Sequence, residues 1–101
     1  MAKGYWIALV EVKDGDAYKN NYVANLAGLL SKFGGRYVTR GGQTEIVEGK
    51  IKSRVVVLEF PSYEAAMNCY RSPEYAPLKA ARKAAAEADI AVIEGYDGPQ
   101  P

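Results

Sequence analysis

The chain of 101 residues contains no histidine. That absence removes the commonest general base, the commonest transition-metal ligand and the usual proximal ligand of haem iron together. Serine–histidine and cysteine–histidine nucleophilic schemes are excluded with it, as is a histidine-rich zinc site. No metal and no cofactor is therefore expected, and acid–base chemistry falls to carboxylates, tyrosines, lysines or ordered water. Cysteine is nearly missing too. Cys69 stands alone, so an internal disulfide cannot form; this suits a reducing cytoplasm and casts Cys69 as a small buried residue on a helix. No charge of one sign dominates, because 13 Lys and Arg meet 12 Asp and Glu for a net +1. A nucleic acid or an anionic membrane recognised by bulk electrostatics needs a strongly basic face, so neither is expected as a partner. Long hydrophobic runs are also lacking. The apolar run at residues 5–10 is shorter than the core of a secretory signal and leads into Glu11 without a cleavage pattern, so no targeting or membrane segment is read.

What is present is an ordinary soluble composition, 49% hydrophobic and 25% charged. The length predicts a single domain over residues 1–97, followed by a loose tail at 98–101 that carries Gly98, Pro99, Gln100 and Pro101.

Residues 54–75, RVVVLEFPSYEAAMNCYRSPEY, organise the rest. Val55 to Leu58 form an apolar run too short for a helix of its own, and Pro61 ends the pairing, which predicts a buried strand. Ser62 is then placed to cap a helix, with Glu64 in its positive first turn. Ser72 and Pro73 break that helix, so residues 72–75 are expected to form a separate turn, and Pro77 to start the next helix. Upstream, residues 5–12 read as a strand that is apolar on both faces. Asp14 caps a helix whose stripe runs through Tyr18, Tyr22, Leu26, Leu29, Leu30 and Phe33 until Gly34 and Gly35 stop it. Tyr18 and Tyr22 are assigned to core packing with their hydroxyls at the edge. Strict alternation in RYVTR puts Arg36, Val38 and Arg40 on one face of a strand. The Gly41–Gly42 pair is read as a bulge rather than a phosphate cradle, because no helix start with Lys-Ser/Thr follows. Residues 44–48 resume extended structure, completing a long hairpin with residues 54–60, and residues 88–96 supply the last strand.

The order β-α-β-β-α-β is the ferredoxin-like arrangement, an α+β fold with a four-stranded antiparallel sheet and helices on one face. Strands apolar on both sides would leave a large bare patch in a monomer, so a homodimer closed sheet face on sheet face is expected.

Four stretches, GYWIALVEV, GGRYVTRGG, LEFPSYEAA and YRSPEYAPL, also carry a family likeness. Together they resemble the bacterial family known as domain of unknown function number 1330, within the dimeric α/β-barrel superfamily, and the likeness runs nearly end to end. It implies a ferredoxin-like subunit, a homodimer whose sheets form a barrel, and no settled activity. The wider superfamily includes cofactor-free oxygenases, isomerases and non-catalytic members. Its haem branches use a histidine ligand that this chain lacks.

Three functional classes compete on this basis. In the first, a small anionic or carbonyl-containing ligand binds between sheet and helices and undergoes metal-free, haem-free acid–base chemistry of isomerase or monooxygenase type. Glu59 is the candidate acid or base, its proton affinity raised by apolar strand residues; Arg40 orients the ligand, and Tyr70 or Tyr75 donates a proton. Tyr70, Tyr75 and Arg82 are the further candidate binding residues. The plainer alternatives are that Glu59 and Arg40 form a structural ion pair, that Arg82 is a solvated or paired helix residue, and that Trp6 is core. The second class is a non-catalytic dimeric binding or interaction module. The third, RNA binding by the same strand order, lacks the aromatic strand pattern such a platform needs.

Overall fold

The computed structural model describes residues 2–101. Strand β1 spans Gly4–Val12, β2 Arg36–Arg40, β3 Arg54–Phe60 and β4 Ala86–Glu94. All pairings are antiparallel, in the order β2-β3-β1-β4. Helix α1 covers residues 15–32, α2 Tyr63–Arg71 and α3 Tyr75–Ala85. The ferredoxin-like fold expected from the sequence is the one observed.

Alternation builds the core on one face only. Trp6, Ala8 and Val10 of β1 and Val56, Leu58 and Phe60 of β3 are buried against Tyr18, Tyr22, Leu26, Leu29 and Leu30 of α1 and Tyr75, Leu78 and Ala85 of α3. On the other face Tyr5, Ile7, Leu9, Val55 and Val57 are half-buried, and no helix lies over them. Gly4 opens β1 because a Cβ there would sit 2.3 Å from the Ser62 carbonyl oxygen. The strand thus passes close under the corner between β3 and α2.

The caps fall where the sequence placed them. Asp14 accepts from the Ala17 N–H at 3.1 Å, and Ser62 Oγ accepts from Ala65 N–H at 3.0 Å. Each satisfies an amide that the first helical turn leaves without a partner. Helix α1 is not uniform, for Tyr18–Val23 form a π-helical turn between two α-helical pieces. The 72–75 turn is present, held by Ser72 Oγ, which donates to the Cys69 carbonyl at 2.8 Å and accepts from the Tyr75 N–H at 3.2 Å.

Several boundaries differ from expectation. Helix α3 begins at Tyr75, so Pro77 lies inside its first turn, where a missing N–H costs no helix bond. Strand β4 starts at Ala86, directly after α3, and ends at Glu94. Residues 44–48 are not a strand. The whole segment 41–53 is irregular and exposed except for half-buried Lys52, and Val47 is 82% exposed. The segment has no second apolar layer to face, so its alternating pattern wins nothing by pairing.

The bulge is real but lies elsewhere. The β2–β3 register shifts between Tyr37 and Thr39, putting Tyr37 opposite Leu58, Thr39 opposite Val57 and Arg40 opposite Val56. Thr39 Oγ1 fills the interrupted ladder, donating to the Val55 carbonyl at 3.1 Å and accepting from the Val57 N–H at 3.0 Å. Val38 is the extra residue, 49% exposed. Because one added residue reverses side-chain parity, Tyr37 and Arg40 share the helix-side face while Arg36 points to the other.

Candidate functional site

A small cavity of about 20 Å³ lies between the helix-side face of the sheet and helices α1 and α3. That is room for one water-sized group. Trp6, Val10, Leu58 and Ile90 form much of its apolar floor, and Tyr18, Tyr22 and Val23 bring the π-helical turn onto its wall. Such turns recur at functional sites because they re-aim side chains that a regular helix would place elsewhere.

Three arginines converge on this cavity: Arg40 at the end of β2, Arg54 at the start of β3 and Arg82 on α3. The Arg40 guanidinium stacks 4.6 Å from the Tyr37 ring centroid, and that of Arg54 lies 5.6 Å from the Tyr18 ring. Gly41, with φ +67°, makes room for Arg54, since a Cβ at this position would stand 2.4 Å from Arg54 Nη1. Arg82 is only 4% exposed. The buried Nε atoms of Arg54 and Arg82 have no hydrogen-bond partner. Among the described residues, none of the three arginines is ion-paired to a carboxylate; the ion pairs are Lys3 and Arg36 with Glu59, Lys13 with Glu11, and Lys52 with Asp89. A buried cation without a counter-charge is costly, and Arg82 is in that position.

Two phenols complete the polar groups nearby. The Tyr22 and Tyr75 hydroxyl oxygens are 2.8 Å apart, with Tyr22 on the cavity wall and Tyr75 behind it. Burial raises the pKa of both above that of an ordinary tyrosine; at Tyr75 its hydrogen bond with Tyr22 and the charge and hydrogen bond of Arg82 work against that rise. Burial likewise raises Tyr37, opposed by the Arg40 charge.

The candidate pair of the sequence is split. Glu59 lies on the bare face of the sheet, not in the cavity, and its partners are Arg36 at 3.2 Å, Lys3 at 3.7 Å and the Tyr5 hydroxyl at 3.3 Å. The expected Glu59–Arg40 ion pair is therefore corrected to Glu59–Arg36, because the register sets Arg36 directly opposite Glu59 and Arg40 opposite Val56 on the other face. The expected rise in Glu59 proton affinity is corrected as well. Burial does push its pKa up, but the Arg36 hydrogen bond, the Lys3 and Arg36 charges and the Tyr5 hydrogen bond together hold it below the usual carboxylate range.

The other candidates divide between wall and support. Arg40 and Arg82 line the cavity, and Arg82 is buried rather than a solvated helix residue. Tyr75 reaches the cavity only through Tyr22. Tyr70 does not line it; its ring packs edge-on to Trp6 at 5.6 Å and tilted on Tyr75 at 5.4 Å, with Lys79 Nζ 4.9 Å above it. Trp6 is buried in the core, its Nε1 donating to the Ala66 carbonyl at 2.9 Å. Burial pushes the Cys69 thiol up to about 12, which leaves it protonated and unreactive.

Sequence reading missed Arg54, Tyr18 and Tyr22 as wall residues. Arg54 shares a strand face with Val56 and Leu58, and an arginine in that row was the available signal. Among the described residues, no cluster of three or more histidine, cysteine or acidic side chains could hold a metal, and no helix is long and apolar enough to cross a membrane.

Comparison with known proteins returns a family and a fold. A family model described as "Domain of unknown function (DUF1330)" matches residues 3–96. No curated protein matches. A crystal structure of methylated RPA0582 protein aligns with TM-score 0.76 at 19% identity, covering 98% of this chain and 84% of that one. A structure of RPA0582 from Rhodopseudomonas palustris, itself of unknown function, gives TM-score 0.68 at 18% identity, with 96% and 85% covered. SnoaB from Streptomyces nogalater, a cofactor-independent oxygenase, gives TM-score 0.64 at 12% identity, with 100% and 97% covered. At these identities the likeness is one of fold.

Proposed function

The chain belongs to the DUF1330 family, and from that premise we propose that it binds a small carboxylate-bearing ligand between the sheet and helices α1 and α3. The observation that carries this reading is the meeting of Arg40, Arg54 and Arg82 at one cavity with no carboxylate paired to any of them. Arginine offers a planar fork that matches a carboxylate with two hydrogen bonds, and such charge-assisted bonds are the strong ones. Aromatic and aliphatic walls then suit an apolar body. Arg40, being exposed, forms the mouth.

Metal-free and haem-free acid–base turnover of that ligand is the catalytic form of the proposal, and Tyr22, backed by Tyr75, is the group placed for it. A fold of this kind serves a cofactor-independent oxygenase in SnoaB, which supports the reading without assigning the reaction. Tyr70 takes part as packing beneath Tyr75, and Glu59 as a structural pair with Arg36. The working unit is a homodimer joined through the bare sheet faces, in a reducing cytoplasm that suits the lone thiol.

A second reading, a non-catalytic dimeric binding module, is favoured by the smallness of the cavity, about 20 Å³. Titration calorimetry with a panel of aliphatic and aromatic carboxylates tests the binding claim. At least one acid should bind the wild type, and Arg82→Gln should weaken it about tenfold or more, the usual scale for losing a charged hydrogen bond. Failure of every acid to bind or to raise the melting temperature sinks the proposal. Turnover of a binding acid, followed by proton NMR, separates the catalytic form from the binding module.

A further inference from the structure

The cavity offers its ligand donors far more than acceptors. Arg40, Arg54 and Arg82 can only donate. Tyr22, 5% exposed, adds a phenol whose proton can be traced through the pair behind it. Tyr75 is fully buried, does not line the cavity, and has the Tyr22 oxygen as the acceptor within reach of its hydroxyl. A buried O–H left without an acceptor is costly, so Tyr75 donates to Tyr22. The Tyr22 oxygen then accepts from within the protein, and its own proton is left for the cavity. The unpartnered Nε–H of Arg82, on a side chain 4% exposed, stands in the same position.

From this arrangement we infer that the ligand carries, beside its carboxylate, a second oxygen that only accepts: the pocket is built for a short 2-oxo acid, with the keto oxygen on the Tyr22 hydroxyl and the carboxylate on the arginines. The inference rests on the anion reading above and adds the keto group to it. A 2-hydroxy acid would bring a further donor into a site already rich in them, and a plain acid would leave the Tyr22 proton unmatched. The small enclosed space, about 20 Å³, favours a short chain whose remaining volume is gained as the exposed Arg40 side chain swings outward. Tyr75 is a positioning residue, since it acts only by fixing which way the Tyr22 proton points.

Calorimetric affinities of pyruvate, lactate and propionate, measured on one preparation, test this. Pyruvate should bind about three- to tenfold more tightly than either of the others, the scale of one neutral hydrogen bond. Tyr22→Phe should bring the pyruvate-to-propionate ratio to about one, whereas Arg82→Gln should weaken all three acids together. Removing both hydroxyls in Tyr22→Phe/Tyr75→Phe strands neither phenol of the pair, so this variant reads the same ratio if the single variant is unstable. Equal binding of pyruvate and propionate to the wild type overturns the keto inference and leaves the anion reading standing. Lactate binding as tightly as pyruvate, or a ratio that survives Tyr22→Phe, overturns it too. Binding of none of the three short acids overturns it as well, and the longer acids of the wider panel then decide the anion reading separately.

Discussion

Arg40 and Glu59 occupy hydrogen-bonded neighbouring strands, yet they face opposite sides of the sheet, Arg40 toward the helices and Glu59 toward the bare face. Val38, the extra residue of the bulge, is what turns Arg40 to the helix side, while Arg36 stays directly opposite Glu59. The partition assigns the positive charge of β2 to two tasks, with Arg40 held for the cavity and Arg36 spent on Glu59.

The bulge itself can be tested through Thr39. Thr39→Val keeps the shape of the side chain and removes both hydrogen bonds of Oγ1, at 3.1 and 3.0 Å. At roughly 0.5–1.5 kcal/mol for each, the variant should lose about 1–3 kcal/mol of unfolding free energy in urea. Deleting Val38 should leave a regular ladder with Thr39 still opposite Val57 and Arg40 still opposite Val56, so carboxylate binding should survive in a chain that still folds. Loss of carboxylate affinity in a folded deletion variant would show that the bulge does more than absorb one residue.

The Glu59 cluster predicts behaviour in acid. Because the folded-state pKa of Glu59 lies below its unfolded value, near 4.5, the stability it adds is present above that value and fades as pH falls through the folded one. Melting temperature should therefore drop on acidification below about pH 4.5, and Glu59→Gln should flatten that part of the profile. Arg36→Gln should flatten it as well, and Arg40→Gln should leave it alone. An acid profile that responds to Arg40 and ignores Arg36 contradicts the pairing seen here.

The tyrosine pair predicts the opposite limb. Tyr22 and Tyr75 have folded-state pKa values above the ordinary 10.0, so their contribution is complete below pH 10 and is lost as the unfolded chain ionises in more alkaline solution. Wild-type stability should fall from pH 10 upward, and the double variant Tyr22→Phe/Tyr75→Phe should fall less steeply over the same range. Identical slopes would place the two hydroxyls in contact with water.

How much of this was legible before the structure depends on which physical rule governed each part. Periodicity governed the helices and strands, so β1, β3 and the caps at Asp14 and Ser62 could be read directly. The Ser72–Tyr75 turn followed from proline chemistry. The site was less legible because two of its determinants are not local patterns. A bulge at Val38 leaves no glycine signature, and the glycine pair that did suggest one serves another end, with Gly41 clearing space for Arg54. Tyr22 read as core, and by exposure it is; its hydroxyl matters because of Tyr75, 53 positions away, which no windowed reading connects. Arg82 sits in an alanine-rich helix whose pattern resembled a solvated face, and only the packing of α3 on α1 shows it buried.

Association through the bare face can be tested by sedimentation equilibrium at low micromolar concentration, which should return twice the mass of one chain. Val57→Lys or Leu9→Lys should dissociate or unfold the protein, since a lysine there would be buried without a partner. A soluble wild-type monomer at that concentration rules the barrel out.

The junction of α3 and β4 limits how the chain can vary in length. Ala85 ends the helix and Ala86 begins the strand, and the Ala85 carbonyl accepts from both the Lys13 and Asp14 amides, at 2.8 and 3.0 Å. One oxygen thus ties the start of the helix bearing Tyr22 to the end of the helix bearing Arg82. An inserted residue at this point would rotate one relative to the other and detune the cavity from outside it. Residues 41–53 carry no such tie over most of their length, so relatives of this chain are expected to grow and shrink there while keeping the helix-to-strand step at fixed length.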